Sequence, residues 1–226
     1  MNLYFLKIDP NLRKVCRGLL STRAVNRLKK ISHPLKRLHV IYGDLFIQYV
    51  LLEKGHNPPF NIRTNQWGKP FITGGYFNLS HSGEWILCVY HSAEVGADIE
   101  SYRYFNHNLA DYFFTKEEVK YATKLSPISQ QIYYIDTWTF KECYVKTIGK
   151  SIFNVKQQLI APFERLYEVK QAVKINKEKL YYVCGTMDSY SWCVMCKADF
   201  SHYNKKIVTN QELVEKVRQV HTGGKV

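Results

Sequence analysis

The chain has 226 residues, 46% of them hydrophobic and 15% aromatic, which excludes a disordered or low-complexity polymer and leaves room for one large domain or two of about 110 residues. Its 32 Lys and Arg against 19 Asp and Glu give a net charge of +13, which suits polyanionic partners. No run approaches the roughly 20 apolar residues of a membrane span, and the apolar run after Met1 is short and followed by basic residues, unlike a secretory signal, so a soluble cytoplasmic protein is expected.

In chain order, LYFLKI (3 to 8) predicts a strand. Ser21 can cap a helix carrying Val25, Leu28 and Ile31 at helical spacing. Between Pro10 and Gly43 there are nine basic residues and no acid, which fits either a phosphate-binding face or a solvated helix surface. A stronger helix follows Pro34, where Leu38, Ile41, Tyr42, Leu45, Phe46, Tyr49 and Leu52 form one apolar stripe closed by Gly55. NPPF (57 to 60) and NQWGKP (65 to 70) are turn chemistry. FITGGYFNLSHS, EWILCVYH and EVGADIE then read as three successive strands.

The second half repeats this outline. Thr115 and Glu118 form a capping box for TKEEVKYATKL, Pro127 closes that neighbourhood, and QQIYYIDTWTFKECYVKTIG predicts a long helix ended by Gly149. YEVKQAVKI, KLYYVCGTM and YSWCVMCKA predict strands, the last two a hairpin around Asp188 and Ser189. QELVEKVRQV predicts a short, peripheral C-terminal helix. The expected architecture is α+β: two similar halves, residues 1–101 and 102–226, each an antiparallel sheet packed by helices and joined near residues 101 to 106.

The six cysteines are scattered through apolar segments and read as reduced core thiols. Cys193 and Cys196 are a C-x-x-C within an alternating strand, where residues three apart point to opposite faces, so they are not expected to bind zinc.

Three groups of residues carry chemistry. Asp98 and Glu100, two apart on a strand, project from one face while Ile99 enters the core behind them. Paired carboxylates repel each other, and a bound divalent cation such as Mg²⁺ accounts for them, although a strand end emerging into water would also carry D-x-E. Trp138, Glu142 and Lys146 share one helical stripe, which reads as a groove or as an ordinary surface ion pair. Ser80, His81 and Ser82 interrupt apolar sequence, but adjacent Ser and His do not form a hydrolytic pair, and no G-x-S-x-G elbow is present. A basic nucleic-acid-binding module is the competing class. No RNA-recognition signature supports it, and neither nucleic acid nor membrane is an expected partner.

In this order WGKPFI (67 to 72), FNLSHSG (77 to 83), VGADIE (95 to 100), FFTKEE (113 to 118) and WTFKECYVKTIGKSI (138 to 152) resemble the motif set of the Sfp type 4′-phosphopantetheinyl transferases. The resemblance implies transfer of the phosphopantetheine arm of coenzyme A to a serine of an acyl or peptidyl carrier protein, with release of adenosine 3′,5′-bisphosphate. It also implies a monomeric pseudodimer with coenzyme A in the cleft between its halves. Asp98, Glu100 and Glu142 match the family's Mg²⁺ ligands, a role Mn²⁺ could also fill, and Glu142 matches the general base. Lys146 matches the lysine near the phosphates, and Lys69, Pro70, Ser80 and His81 match nucleotide contacts. Lys141 should point about 100° away from Glu142. Arg23 and Arg27 lie in the segment that holds the 3′-phosphate. The chain departs from the family where an arginine and a small hydroxyl residue are usual: it has His39 and Val40, so that His39 and Arg37 would have to substitute. Tyr112, Phe113, Phe114 and the helix beginning at Lys116 match a docking surface for the carrier protein. Carriers of this kind are acidic, so a basic enzyme would attract them. A family member that binds coenzyme A without transferring it is the nearer alternative.

Overall fold

The structure, a computed structural model, describes residues 1–11, 17–103, 105, 110–150 and 159–222. Arg13 and Lys14 of the basic segment, part of the expected join at 101 to 106, and Ser151 and Ile152 lie outside the described residues.

The elements are β1 (Asn2–Lys7), a 3₁₀ turn at Arg17–Leu19, α1 (Thr22–Leu28), α2 (Pro34–Glu53), β2 (Arg63–Thr64), β3 (Pro70–Ile72), β4 (Gly75–Ser82), β5 (Trp85–His91), β6 (Val95–Ser101), α3 (Ala110–Phe113), α4 (Lys116–Ala122), α5 (Pro127–Ile148), β7 (Gln171–Ile175), β8 (Glu178–Met187), β9 (Tyr190–Cys196), β10 (Asn204–Val208) and α6 (Asn210–Thr222). They form a six-stranded sheet, β10-β1-β5-β4-β3-β2, and a four-stranded sheet, β6-β9-β8-β7. All strand pairs in these sheets are antiparallel except β1 with β10.

Period-two alternation sorts the strand residues into layers. Tyr4, Leu6, Ile86 and Cys88 pack under α2 and α6. Leu3, Phe5, Trp85, Leu87 and Val89 face the other way, onto Val95, Ala97, Ile99, Trp192, Val194 and Cys196 of the second sheet. Cys193 and Met195 point outward from that sheet and pack against Phe140, Cys143 and Tyr144 of α5. The result is a helix–sheet–sheet–helix stack. Cys193 and Cys196 lie in different layers, as their spacing requires.

Several local expectations change. The stretch from 71 to 82 is two strands, because Gly74 takes φ 84° in the turn between β3 and β4. Pro127 opens α5: Ser126 caps it, and the proline occupies the first turn, where its missing N–H costs nothing. Helix α1 stops at Leu28, with Arg37 Nη1 donating to the Leu28 and Ile31 carbonyls at 2.7 and 2.6 Å. Its inward residue is Ala24, while Val25 is 39% exposed.

The C-terminal helix is not peripheral. Leu213, Val214 and Val217 are buried against α2, each contributing about 1.5–3 kcal/mol relative to exposure. The strand before it, β10, was unforeseen because NKKIV is mostly polar and lies at a sheet edge. The boundary expected between residues 101 and 102 does not coincide with the sheets: β6 precedes it yet belongs to the second sheet, and β10 with α6 return to the first. Among the described residues no helix is long and apolar enough to cross a membrane.

Candidate active site

Strand β6 is sandwiched so that Val95, Ala97 and Ile99 enter the inter-sheet core and the alternate residues turn outward toward α5. Gly96 sets the distance: a Cβ there would lie 2.4 Å from Thr147 N and 2.5 Å from the Cys143 carbonyl oxygen. Only glycine permits this approach of strand to helix. It brings the two outward acids to the α5 stripe of Trp138, Glu142 and Lys146. On their other flank β4 presents Asn78, Ser80 and Ser82, also two apart, with Asn78 Oδ1 accepting from Ala97 N at 2.9 Å.

Asp98, 2% exposed, accepts on Oδ1 from Ser80 Oγ at 2.7 Å and from Lys146 Nζ at 2.6 Å. Lys146 Nζ also reaches Ser80 Oγ at 2.9 Å. Asp98 Oδ2 is buried and has no hydrogen-bond partner among the described residues. Glu100 accepts from Ser82 Oγ at 3.0 Å and from Trp138 Nε1 at 3.3 Å.

The electrostatics follow from crowding acids in a poorly hydrated place. Burial raises the Asp98 pKa despite its ion pair with Lys146. Burial and the Asp98 charge raise Glu100. Glu142 is pushed up to about 7, first by burial and then by Asp98 and Glu100, against the opposing pull of Lys146. For Lys146, lost hydration works against the charge but is outweighed by Asp98 and Glu142, so the ammonium holds its proton more tightly than a free lysine.

These groups interact without forming a closed chelate: among the described residues no three His, Cys, Asp or Glu side chains stand together as a ready metal cage. The expected single grip of three acids on one cation is therefore not formed in these side-chain positions, where Lys146 and Ser80 hold Asp98 while Ser82 and Trp138 hold Glu100. The donors nevertheless fit a hard divalent cation in kind, being carboxylate oxygens, one of them orphaned in a buried position.

Beside this cluster is a cavity of about 910 Å³. Arg23 and Arg27 of α1, Lys36 and His39 of α2, Pro70, and His81 of β4 line it, with Val40, Ile47, Phe77 and Leu79 as apolar wall. Its described lining comes from residues 21–81 and His221, so it lies against the first sheet and its helices and not in a cleft between two halves. His81 keeps an exposed edge. Most of its hydration is displaced by the walls, and His39, Lys146 and Arg27 repel a proton, so its pKa falls to about 4. It does not carry a charge on its own at neutral pH.

Not every expected contact is in this cavity. Lys69 is 9% exposed and donates to the Thr147 carbonyl at 2.5 Å, tying the turn before β3 to the end of α5. Burial pulls its pKa down to about 8. Ser80 faces Asp98 and Lys146. Arg37 is spent on the end of α1, which leaves His39 as the substitute beside Val40. Lys141 turns away from Glu142, as its position on the helix requires, into a fully buried pair with Glu118 at 2.6 Å. Of the expected docking residues, Phe114 is 3% exposed and belongs to the core. Phe113 packs edge-on to Trp138 with ring centroids 4.8 Å apart, and Tyr112 is 61% exposed. Sequence reasoning grouped Ser82 with Ser80 and His81 without giving it a partner, which the alternation Asn78, Ser80, Ser82 signals, and it missed Lys36 and Phe60 of the cavity wall, the latter hidden in what reads as turn chemistry.

The chain is similar to known proteins over much of its length. Residues 94–198, which include β6 and α5, match the model of the 4′-phosphopantetheinyl transferase superfamily. The chain is 35% identical over 116 residues to the 4′-phosphopantetheinyl transferase gsp of Aneurinibacillus migulanus, covering 50% of this chain and 49% of that protein. It is 28% identical over 140 residues to the 4′-phosphopantetheinyl transferase Sfp of Bacillus subtilis, covering 60% and 62%. A putative 4′-phosphopantetheinyl transferase of a Synechocystis species is 26% identical over 198 residues, covering 78% and 80%. The chain thus spans about half of the length of the first of these relatives and less than two thirds of the second. With β6 and α5 inside the matched region and Sfp among its relatives, the chain is similar to the 4′-phosphopantetheinyl transferases over the part that carries Asp98, Glu100, Glu142 and Lys146.

Proposed function

We propose that this chain transfers the 4′-phosphopantetheine arm of coenzyme A to a serine hydroxyl of an acyl or peptidyl carrier protein, in a Mg²⁺-dependent reaction that releases adenosine 3′,5′-bisphosphate. The observation that supports it best is the meeting of Asp98, Glu100, Glu142 and Lys146, from a strand and a helix, beside a cavity lined by cations.

In this reading the serine oxygen attacks the phosphorus that bears the pantetheine arm, the bond from that phosphorus to the bridging oxygen breaks, and the serine proton passes to a base. Glu142 is that base. Its pKa of about 7 without a metal suits proton transfer near neutral pH, and because a bound cation would lower that value, Glu142 in the loaded site would act mainly by positioning the serine hydroxyl. Lys146 supplies a fixed positive charge at the place where phosphate oxygens gain charge. Ser80, Ser82 and Trp138 hold the acids in place. Asp98, Glu100 and Glu142 are the residues that would hold Mg²⁺, which when bound would neutralise the diphosphate and polarise it toward attack. Arg23, Arg27, His39 and His81, with Pro70, would surround the nucleotide, and the positive net charge would draw in an acidic carrier.

The test is intact-mass analysis after incubation with coenzyme A, Mg²⁺ and an apo carrier protein. The expected result is a gain of one phosphopantetheine unit, lost by at least 100-fold in rate in Asp98→Ala, an effect larger than the roughly 10–100-fold typical of groups that only support metal ligands. Coenzyme A binding without any mass gain would favour a non-transferring family member, and full activity in both Asp98→Ala and Glu142→Gln would refute the site.

A further inference from the structure

The His39 and His81 rings are stacked, with centroids 4.0 Å apart and planes inclined by 19°. They come from α2 and β4 and meet on the cavity wall. His39 Nε2 lies 2.8 Å from the Gly83 carbonyl oxygen, which can only accept, so Nε2 carries hydrogen and donates.

Cations face the pair from three elements: Arg27 of α1, Lys36 of α2 and Lys146 of α5. The acid on the same wall, Asp44, is engaged by Ser21 and by Gln48, and His221 of α6 meets Gln48 Oε1. Two imidazolium rings in face contact, among further cations, repel strongly, so without an anion the pair does not hold two protons. Burial first, and then the His39 ring beside it, push the His81 pKa down to about 4.

We propose that the stacked His39–His81 pair is a phosphate-selecting element of the cavity that takes up one proton when a dianionic phosphate group of a nucleotide docks beside it. The inference rests on the reading of the cavity as the nucleotide site. A dianion offsets the repulsion between the rings, restores the charged form of one of them, and gains an N–H donor. A neutral nucleoside recruits no proton and gains nothing from the pair. An arginine in place of His39 would offer the same charge at every pH, whereas an imidazole offers it conditionally, when the ligand carries the charge that pulls the proton in.

Calorimetric titration with adenosine 3′,5′-bisphosphate, in chelator and in paired buffers of different ionisation heat, measures the proton uptake. Wild-type protein is expected to take up close to one proton more than His39→Arg or His81→Gln. Its affinity should fall by up to about tenfold per pH unit as pH rises through the window where the bound pair titrates, with a shallower slope in both variants. Titration of the ligand's own phosphates is common to all three proteins and cancels in the difference. Equal uptake and equal slopes in wild type and both variants overturn the proposal while leaving the cavity as a nucleotide site. No binding by the wild type at any pH overturns the nucleotide reading and this inference together.

Discussion

Helix α5 carries two buried polar clusters on different faces, and they are built on opposite terms. On one face Lys141 meets Glu118 at 2.6 Å with both side chains fully buried. Every oxygen of Glu118 is used: Oε1 accepts from Ala161 N at 2.8 Å, and Oε2 from Thr115 N and from Lys141. Lys141 also donates to the Phe113 carbonyl at 3.0 Å. On the other face Lys146 is the cation beside Asp98 and Glu142 while the exposed Arg103 reaches Glu100 at 4.0 Å, Asp98 Oδ2 has no partner among the described residues, and Glu142 is pushed up to about 7. A satisfied network fastens α4 and the segment at Ala161 to α5. The strained one leaves charge and a lone pair uncommitted, the condition in which a site can gain from a cation and a phosphate. The two lysines stand five residues apart and look interchangeable in composition, yet Lys141 is spent on a closed network while Lys146 stands among the acids of the proposed site.

This contrast can be broken at either end. The largest effect is expected on the satisfied face: Lys141→Met leaves Glu118 buried without its cation and should cost about 3–5 kcal/mol in chemical denaturation. A loss under about 1 kcal/mol would show that the pair fastens nothing. A smaller effect of opposite sign is expected on the active face. The native state holds a proton on Glu142 up to about pH 7, whereas the unfolded chain loses it in the ordinary glutamate range. The native protein therefore binds more protons between those values, and stability falls as pH rises through that window and stays lower above it. Glu142→Gln removes this cost: in chelator it should be more stable than wild type by about 1–3 kcal/mol at pH 8, with the gain gone in acid below the ordinary glutamate pKa. A Gln variant less stable than wild type at pH 8 would place Glu142 among the fastening residues.

Much of this was readable in the sequence because it depends on period alone. Alternation put Ile99 inward and Asp98 with Glu100 outward, helical spacing lined up Trp138, Glu142 and Lys146, and the same spacing turned Lys141 away. The capping box of Thr115 and Glu118 forms as expected, with Glu118 Oε2 accepting from Thr115 N at 2.8 Å. The rest depends on tertiary approach. Nothing local to Lys69 says that its ammonium meets the Thr147 carbonyl 78 residues away. The polar strand β10 gains its place only by pairing with β1, and Leu213, Val214 and Val217 gain burial only from α2. Local pattern likewise cannot say that Lys146 spends its charge on Asp98, since strand and helix meet only where Gly96 lets them.

The most direct measurement is the Mg²⁺ dependence of thermal stability at pH 8, with coenzyme A present throughout, for wild type and for Asp98→Asn. If the uncommitted carboxylates await a cation, Mg²⁺ at about 100 times its dissociation constant should stabilise the wild type by roughly 2.7 kcal/mol, and the variant should lose most of that response. An equal response in both proteins, or none in the wild type, would contradict the assignment of Asp98 and its neighbours as the centre of the site.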